Sequence, residues 1–97
     1  MKSAEEAMLD AAIHMEQENP LRCGVIYGSG MGGIKTLDVN IGGFGAGDGT
    51  PLYSPFFIPM IITNMAAGML AIRYGFKGVN FATTSACSSS AHAIANA

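Results

Sequence analysis

The segment Phe81-Ala82-Thr83-Thr84-Ser85-Ala86-Cys87-Ser88-Ser89-Ser90-Ala91-His92 decides how this chain is read. It begins as an apolar, β-favouring run, passes through small residues, and ends in a helix-compatible tract. The expected local structure is a strand over Phe81–Ser85 buried on both sides, a bend at Ala86, and a helix starting near Cys87. Backbone N–H groups at the start of a helix lack intrahelical partners, and the helix dipole is positive there. A thiolate at such a junction is favoured. A sharp strand-to-helix turn also presents its side chain, as in other nucleophile elbows. The N–H of Cys87 is then a candidate oxyanion donor. Composition alone reads the same residue as a small buried cysteine among alanines and serines.

His92 lies five positions beyond Cys87, about 140° around a helix and roughly 7.5 Å along it. Its ring is expected to point away from the sulfur and to serve structure. His14 reads as exposed or structural. No group of His, Cys, Asp and Glu has zinc-ligand spacing, so no metal is expected.

Working outward, strand Phe81–Ser85 needs partners. Cys23 to Tyr27 is a second short apolar strand, running into Gly28-Ser29-Gly30-Met31-Gly32-Gly33. Gly28, Gly30 and Gly33 fit the loose dinucleotide pattern. The acid that would complete it is missing, since Asp48 sits in a glycine-rich stretch and not at the end of a second strand. The run also approaches a phosphate-binding loop, but Ile34 intrudes before Lys35-Thr36. The favoured reading is a turn whose glycines let two backbone segments approach closely.

Residues 4–17 read as a helix, with Ala4, Met8, Ala11, Ala12 and Met15 recurring every three or four positions. Ser3 and Glu6 have capping-box spacing, and Asn19-Pro20 reads as the stop. Residues 34–40 read as a helical turn or a loop, and residues 42–50 as a flexible glycine stretch without periodicity. A further helix is expected over about Pro59–Tyr74, with a stripe of Ile61, Met65, Gly68, Met69 and Ile72. Its small residues suit close packing, and Gly75 suits its left-handed end. Strand, helix and strand with apolar strands favour an α/β layered fold with parallel crossovers.

The chain has 97 residues, 49% hydrophobic and 12% charged, with a formal charge of −2. The charged share is about half the usual level. This favours a core piece of something larger over a small free-standing domain, and a last helix without a terminator points the same way. The mild negative charge offers no field for nucleic acid. Two cysteines, Cys23 and Cys87, do not make a disulfide scaffold, which favours a reducing, cytoplasmic setting. The start is too polar for a signal peptide, and the apolar stretches are too short and interrupted to span a membrane.

Four segments, in order, carry a family resemblance. They are Cys23-Gly-Val-Ile-Tyr-Gly-Ser-Gly-Met-Gly-Gly33, Ser54-Pro-Phe-Phe-Ile-Pro-Met-Ile-Ile-Thr-Asn-Met65, Leu70-Ala-Ile-Arg-Tyr-Gly-Phe-Lys-Gly78 and Thr84-Ser-Ala-Cys-Ser-Ser-Ser90. Together they resemble the elongating β-ketoacyl-[acyl-carrier-protein] synthases over residues 22–97, with residues 1–21 as a leading helix and linker. The resemblance implies part of a thiolase-like α/β fold, from its N-terminal half, with a mixed sheet and flanking helices. It implies a homodimer, acyl-carrier protein as partner, acyl and malonyl thioesters as substrates, and no cofactor. It makes Cys87 the acylated nucleophile, with its own N–H as one oxyanion donor. Phe56 and Phe57 match aromatic positions near the acyl pocket and the partner subunit, Phe57 more closely.

The departures limit what these 97 residues are expected to do. Two histidines that the family uses in decarboxylation belong to a later half, and neither His14 nor His92 matches them. The expectation is a chain that carries the nucleophile yet does not condense substrates alone. Ser88 stands where elongating members often have alanine or threonine, and the 42–50 stretch is unusually rich in glycine. The rival readings are a polyketide ketosynthase domain and a non-catalytic thiolase-fold subunit, the latter disfavoured by Cys87. An initiating synthase or a thiolase would share the fold, but Ser54–Met65 resembles the elongating group more.

Overall fold

The computed structural model describes residues 1–50 and 53–97. Two short strands, β1 (Val25–Gly28) and β2 (Asn80–Thr83), pair in parallel with Val25 opposite Asn80 and Gly28 opposite Thr83. The ladder extends at both ends, where Val25 N–H donates to Val79 O at 2.8 Å and Ser29 N–H to Thr83 O at 3.1 Å. A parallel pair needs a crossover, and here it is α2 (Ile34–Ala46), α3 (Phe57–Ile61) and α4 (Met65–Tyr74). The chain opens with α1 (Lys2–Asp10) and closes with α5 (Ser89–Asn96). Single 3₁₀ turns at Pro20–Arg22 and Ala86–Ser88 lead into β1 and α5. Helices α4 and α5 both pack on the strands. The α/β expectation with a parallel crossover therefore holds, while the sheet among the described residues is parallel and two-stranded and not mixed.

The contact that seats α5 is made by a glycine. A Cβ on Gly28 would stand 2.7 Å from Ser89 C and 2.7 Å from Ser90 N. Real side chains do not fit there, so the end of β1 and the first turn of α5 meet backbone to backbone. The glycine turn after β1 is occupied in the same way. Gly33 N–H donates to Ile61 O at 3.3 Å, and the space beside Gly32 and Gly33 is filled by the backbone of Met60 and Ile61. That packing role, with Asp48 beyond α2 and far from any second strand, replaces the nucleotide reading of the glycine cluster.

Several sequence expectations are corrected. Helix α1 ends at Asp10, well before Met15, because Ala12 turns left-handed at φ 50°. Ile13 N–H then reaches Met8 O and Ala12 N–H reaches Leu9 O, the paired bonds of a Schellman ending. The Ser3–Glu6 capping box does not form; Met1 is the cap, with no side-chain bond. Asn19 caps the next turn instead, accepting from Leu21 N–H at 3.0 Å. The expected Pro59–Tyr74 helix is broken at Ile62, which is extended (φ −70°, ψ 138°). Its β-branched run Ile61-Ile62-Thr63 is a poor helix former, and the Ile61 carbonyl that a continuous helix would give to Met65 is taken by Gly33. The glycine stretch is largely helical. Helix α2 continues through Gly42, Gly43 and Gly45, with Ile34, Leu37, Ile41 and Phe44 recurring at helical spacing, and the helix packs on α3.

Helix α4 ends as expected, with Gly75 left-handed at φ 70° and ψ 25°. Its small face, centred on fully buried Ala67, is the one that packs, whereas Ile72 is 78% exposed. Asn80 ties β2 to this helix by donating to Ala67 O at 3.0 Å. The only ion pair among the described residues, Arg73 to Glu5 at 3.2 Å, links α4 to α1 across partly exposed surface, where such pairs contribute about 0–1 kcal/mol.

Apolar surface is abundant. Strand β2 is not buried on both sides, since Phe81 is 40% exposed, and among the described residues no large side chain is fully buried. The radius of gyration, 16.5 Å, exceeds the roughly 13 Å of a compact domain of this length.

Two outcomes are expected from this packing. Gly28→Ala forces α5 off β1 and destabilises the chain by about 1–3 kcal/mol or more, measured by denaturant unfolding. Gly43 and Gly45 have open space where a Cβ would go, so Gly43→Ala and Gly45→Ala each stabilise α2 by roughly 1 kcal/mol, seen as a gain in helical circular dichroism and in unfolding midpoint.

Candidate active-site elbow

Cys87 sits in the 3₁₀ turn Ala86–Ser88, between the end of β2 and the start of α5, and is exposed. The turn is made by Ala86, whose φ of 48° is left-handed. A non-glycine residue there costs on the order of 1–2 kcal/mol. The bend thus falls at Ala86, and the regular helix begins two residues after Cys87, at Ser89.

Serines and threonine hold this bend. Buried Ser89 is the centre: its hydroxyl donates to Ala86 O at 2.7 Å and accepts from Ser85 N–H at 2.9 Å. Its carbonyl accepts from the Thr83 hydroxyl at 2.8 Å. Ser88 donates to Ser85 O twice, through its hydroxyl at 2.7 Å and its N–H at 3.0 Å. Ser85 Oγ lies 2.6 Å from His92 Nδ1. Such residues satisfy backbone groups that a sharp turn strips of regular partners. The N–H of Cys87 makes no hydrogen bond among the described residues. It remains available to a ligand oxygen beside the sulfur, which is the arrangement an oxyanion needs.

The glycine turn runs alongside. Ser29 is bonded to Thr83, and the Cβ position of Gly30 faces Ala86 O at 3.9 Å. An open cleft of about 310 Å³ leads away from it, lined by Tyr27, Ser29, Met60, Ile62, Thr63 and Met65. A larger concavity of about 530 Å³, lined by Met8, Leu9, Ile13, Met15 and Tyr74 among others, lies between α1 and the end of α4 and holds no cysteine.

The sequence-derived site residues separate into two groups. Cys87 is at the elbow. Phe57 is half-buried at the start of α3, stacked on Tyr53 with ring centroids 5.1 Å apart, and Tyr53 lies 6.3 Å from Phe44. Phe56 is 68% exposed. The aromatic cluster belongs to the α2–α3 packing, while the elbow packs on α5. His92 has its partner in Ser85, in keeping with a structural role. Sequence reasoning overlooked Ser85 and Ser89 as the frame of the turn. The signal was present in the density of short hydroxyl side chains around Ala86. Cys23 and Cys87 are both free. Asp48 accepts from Thr50 N–H at 2.9 Å, and the Thr50 side chain first and its N–H second hold that carboxyl below its ordinary value. Among the described residues there is no cluster of three potential metal ligands, and no helix is long and apolar enough to cross a membrane.

Ser89→Ala removes two hydrogen bonds and strands Ser85 N–H, while Ala86 O keeps the N–H of residue 89, for an expected loss of about 1–3 kcal/mol. Ala86→Gly relieves the left-handed strain and leaves stability equal or higher. Thermal or denaturant unfolding of the two variants checks both directions.

The family model for the beta-ketoacyl synthase N-terminal domain matches residues 1–97. The 3-oxoacyl-[acyl-carrier-protein] synthase 2 of Coxiella burnetii is 39% identical over 97 residues, covering 100% of this chain and 23% of the relative. The enzyme of the same name from Rhizobium meliloti is 40% identical over 98 residues, with 100% and 23% covered. That from Staphylococcus aureus is 38% identical over 95 residues, with 98% and 23% covered. The chain therefore spans about a quarter of the length of these relatives. With the match extending over its whole length, the chain belongs to the beta-ketoacyl synthase family, in the region of the N-terminal domain.

Proposed function

We propose that this chain supplies the acyl-accepting cysteine of a 3-oxoacyl-[acyl-carrier-protein] synthase that elongates fatty acids in the cytoplasm. The observation that carries the reading is the elbow: an exposed sulfur, on a left-handed bend, beside its own unengaged N–H. In the proposed step the Cys87 thiolate attacks the carbonyl carbon of an acyl-carrier-protein thioester. The oxyanion accepts from Cys87 N–H while the tetrahedral intermediate lasts, and the carrier's thiolate leaves. The resulting acyl-cysteine is the electrophile for a carbanion formed by decarboxylation of malonyl-carrier protein. Formation of the carbon–carbon bond then frees Cys87.

The relatives, all 3-oxoacyl-[acyl-carrier-protein] synthases 2, favour fatty-acid elongation over a polyketide assembly line, and the cysteine disfavours a non-catalytic subunit. In this reading the residues belong to a thiolase-like fold and a homodimer, and the exposed apolar surface is consistent with further cover. Phe57 is the better candidate than Phe56 for the acyl side, being half-buried in an aromatic cluster. The two histidines of the decarboxylation step are not among these 97 residues.

Two outcomes follow for the 97-residue polypeptide. Incubated with an acyl-carrier-protein thioester, it gains the acyl mass at Cys87, and Cys87→Ala abolishes the label; labelling at Cys23 instead, or none, overturns the assignment. With malonyl-carrier protein added, no β-ketoacyl product forms, and detection of that product by mass spectrometry overturns the division of labour.

A further inference from the structure

The elbow contains one bond that the proposed acyl transfer leaves unused. Ser85 Oγ and His92 Nδ1 meet at 2.6 Å, spanning the whole Ala86–Ser88 turn. The other side-chain bonds of the elbow each have a backbone group at one end. This one joins two side chains, one placed two residues before Cys87 and the other five after it. Ser85 is also held through its main chain, by Ser89 Oγ at its N–H and by Ser88 at its carbonyl. Ala86, next in line, is kept left-handed against its own preference. A tie from β2's exit to the second turn of α5 therefore closes a loop around the one strained residue that aims Cys87.

We propose that His92 is a positioning residue for Cys87. Acting through Ser85, it fixes the elbow so that the sulfur and the N–H of Cys87 face the same point. It does so without serving as the base that takes the thiol proton. The chemistry suits a permanent tie. A neutral ring accepts the Ser85 hydroxyl proton at Nδ1, and an imidazolium donates from Nδ1 to Ser85 Oγ. The inference rests on the reading of Cys87 as nucleophile, so its test separates the two.

Two probes of the full 97-residue chain do this. With p-nitrophenyl hexanoate, sulfur bonds to the ester carbonyl, the C–O bond breaks, p-nitrophenolate departs and the thiol proton goes to solvent. This passes through an oxyanion. Iodoacetamide is displaced at a saturated carbon and forms none. Ser85→Ala and His92→Phe are each expected to slow acylation of Cys87 by about fivefold, with alkylation changed by less than about twofold. The double variant is no slower than either single variant, because both remove the same tie. His92→Asn, which keeps a hydrogen-bonding atom near the Nδ1 position, recovers most of the rate. Acylation and alkylation falling together, losses that multiply in the double variant, or an Asn variant as slow as Phe would each overturn the proposal. A wild-type chain that is never acylated at Cys87 overturns the nucleophile reading instead. The amide resonance of Cys87 then judges the tie alone: it moves in both single variants if the pair sets the elbow, and a resonance that stays put overturns the proposal.

Discussion

The backbone contact between Gly28 and the first turn of α5 is the constraint on which the rest depends. No side chain can stand between β1 and Ser89–Ser90, so α5 is fixed against the strand that pairs with β2. The same strand pairing sets where Thr83 ends, and Thr83 is bonded to both sides of the junction, through its carbonyl to Ser29 and through its hydroxyl to Ser89. The start of α5 and the end of β2 are thereby held at a fixed separation. The five residues between them must turn sharply, and Ala86 adopts a left-handed conformation to do it.

The chemistry of the elbow follows from that geometry. A short, forced turn leaves backbone groups without helical or sheet partners. Hydroxyl side chains take up those of Ser85 and Ala86, while the N–H of Cys87 stays available. The serine-rich composition of the motif is therefore structural support for a turn that presents one sulfur and one donor together. The glycines after β1 have a parallel task on the other side, letting the end of α3 pack on the turn that borders the elbow.

Several elements were legible because their signals are local. Gly75 at the end of α4, the apolar strands either side of the crossover, and the bend before Cys87 each depend on the conformational preferences of one or two residues. Others were obscured by competing contacts. Helix α2 was hidden by its glycines, although Ile34, Leu37, Ile41 and Phe44 already marked one face. The break at Ile62 depends on a carbonyl claimed by Gly33, far away in sequence. The early end of α1 depends on Ala12 adopting a conformation that alanine seldom favours. The exposed Ile72 and the buried Ala67 reversed the expected stripe because close packing on a strand selects small side chains over large ones.

The sequence by itself determined the family and the α/β pattern and singled out Cys87 as the candidate nucleophile, because ordered motifs and residue preferences survive without knowledge of distant neighbours. Only the tertiary structure decided what surrounds that cysteine. Gly28 faces α5, Ser89 bridges Ser85 and Ala86, and His92 turns to Ser85. These contacts arise from the pairing of strands separated by the whole crossover, and no spacing within one segment encodes where a chain returns to meet itself.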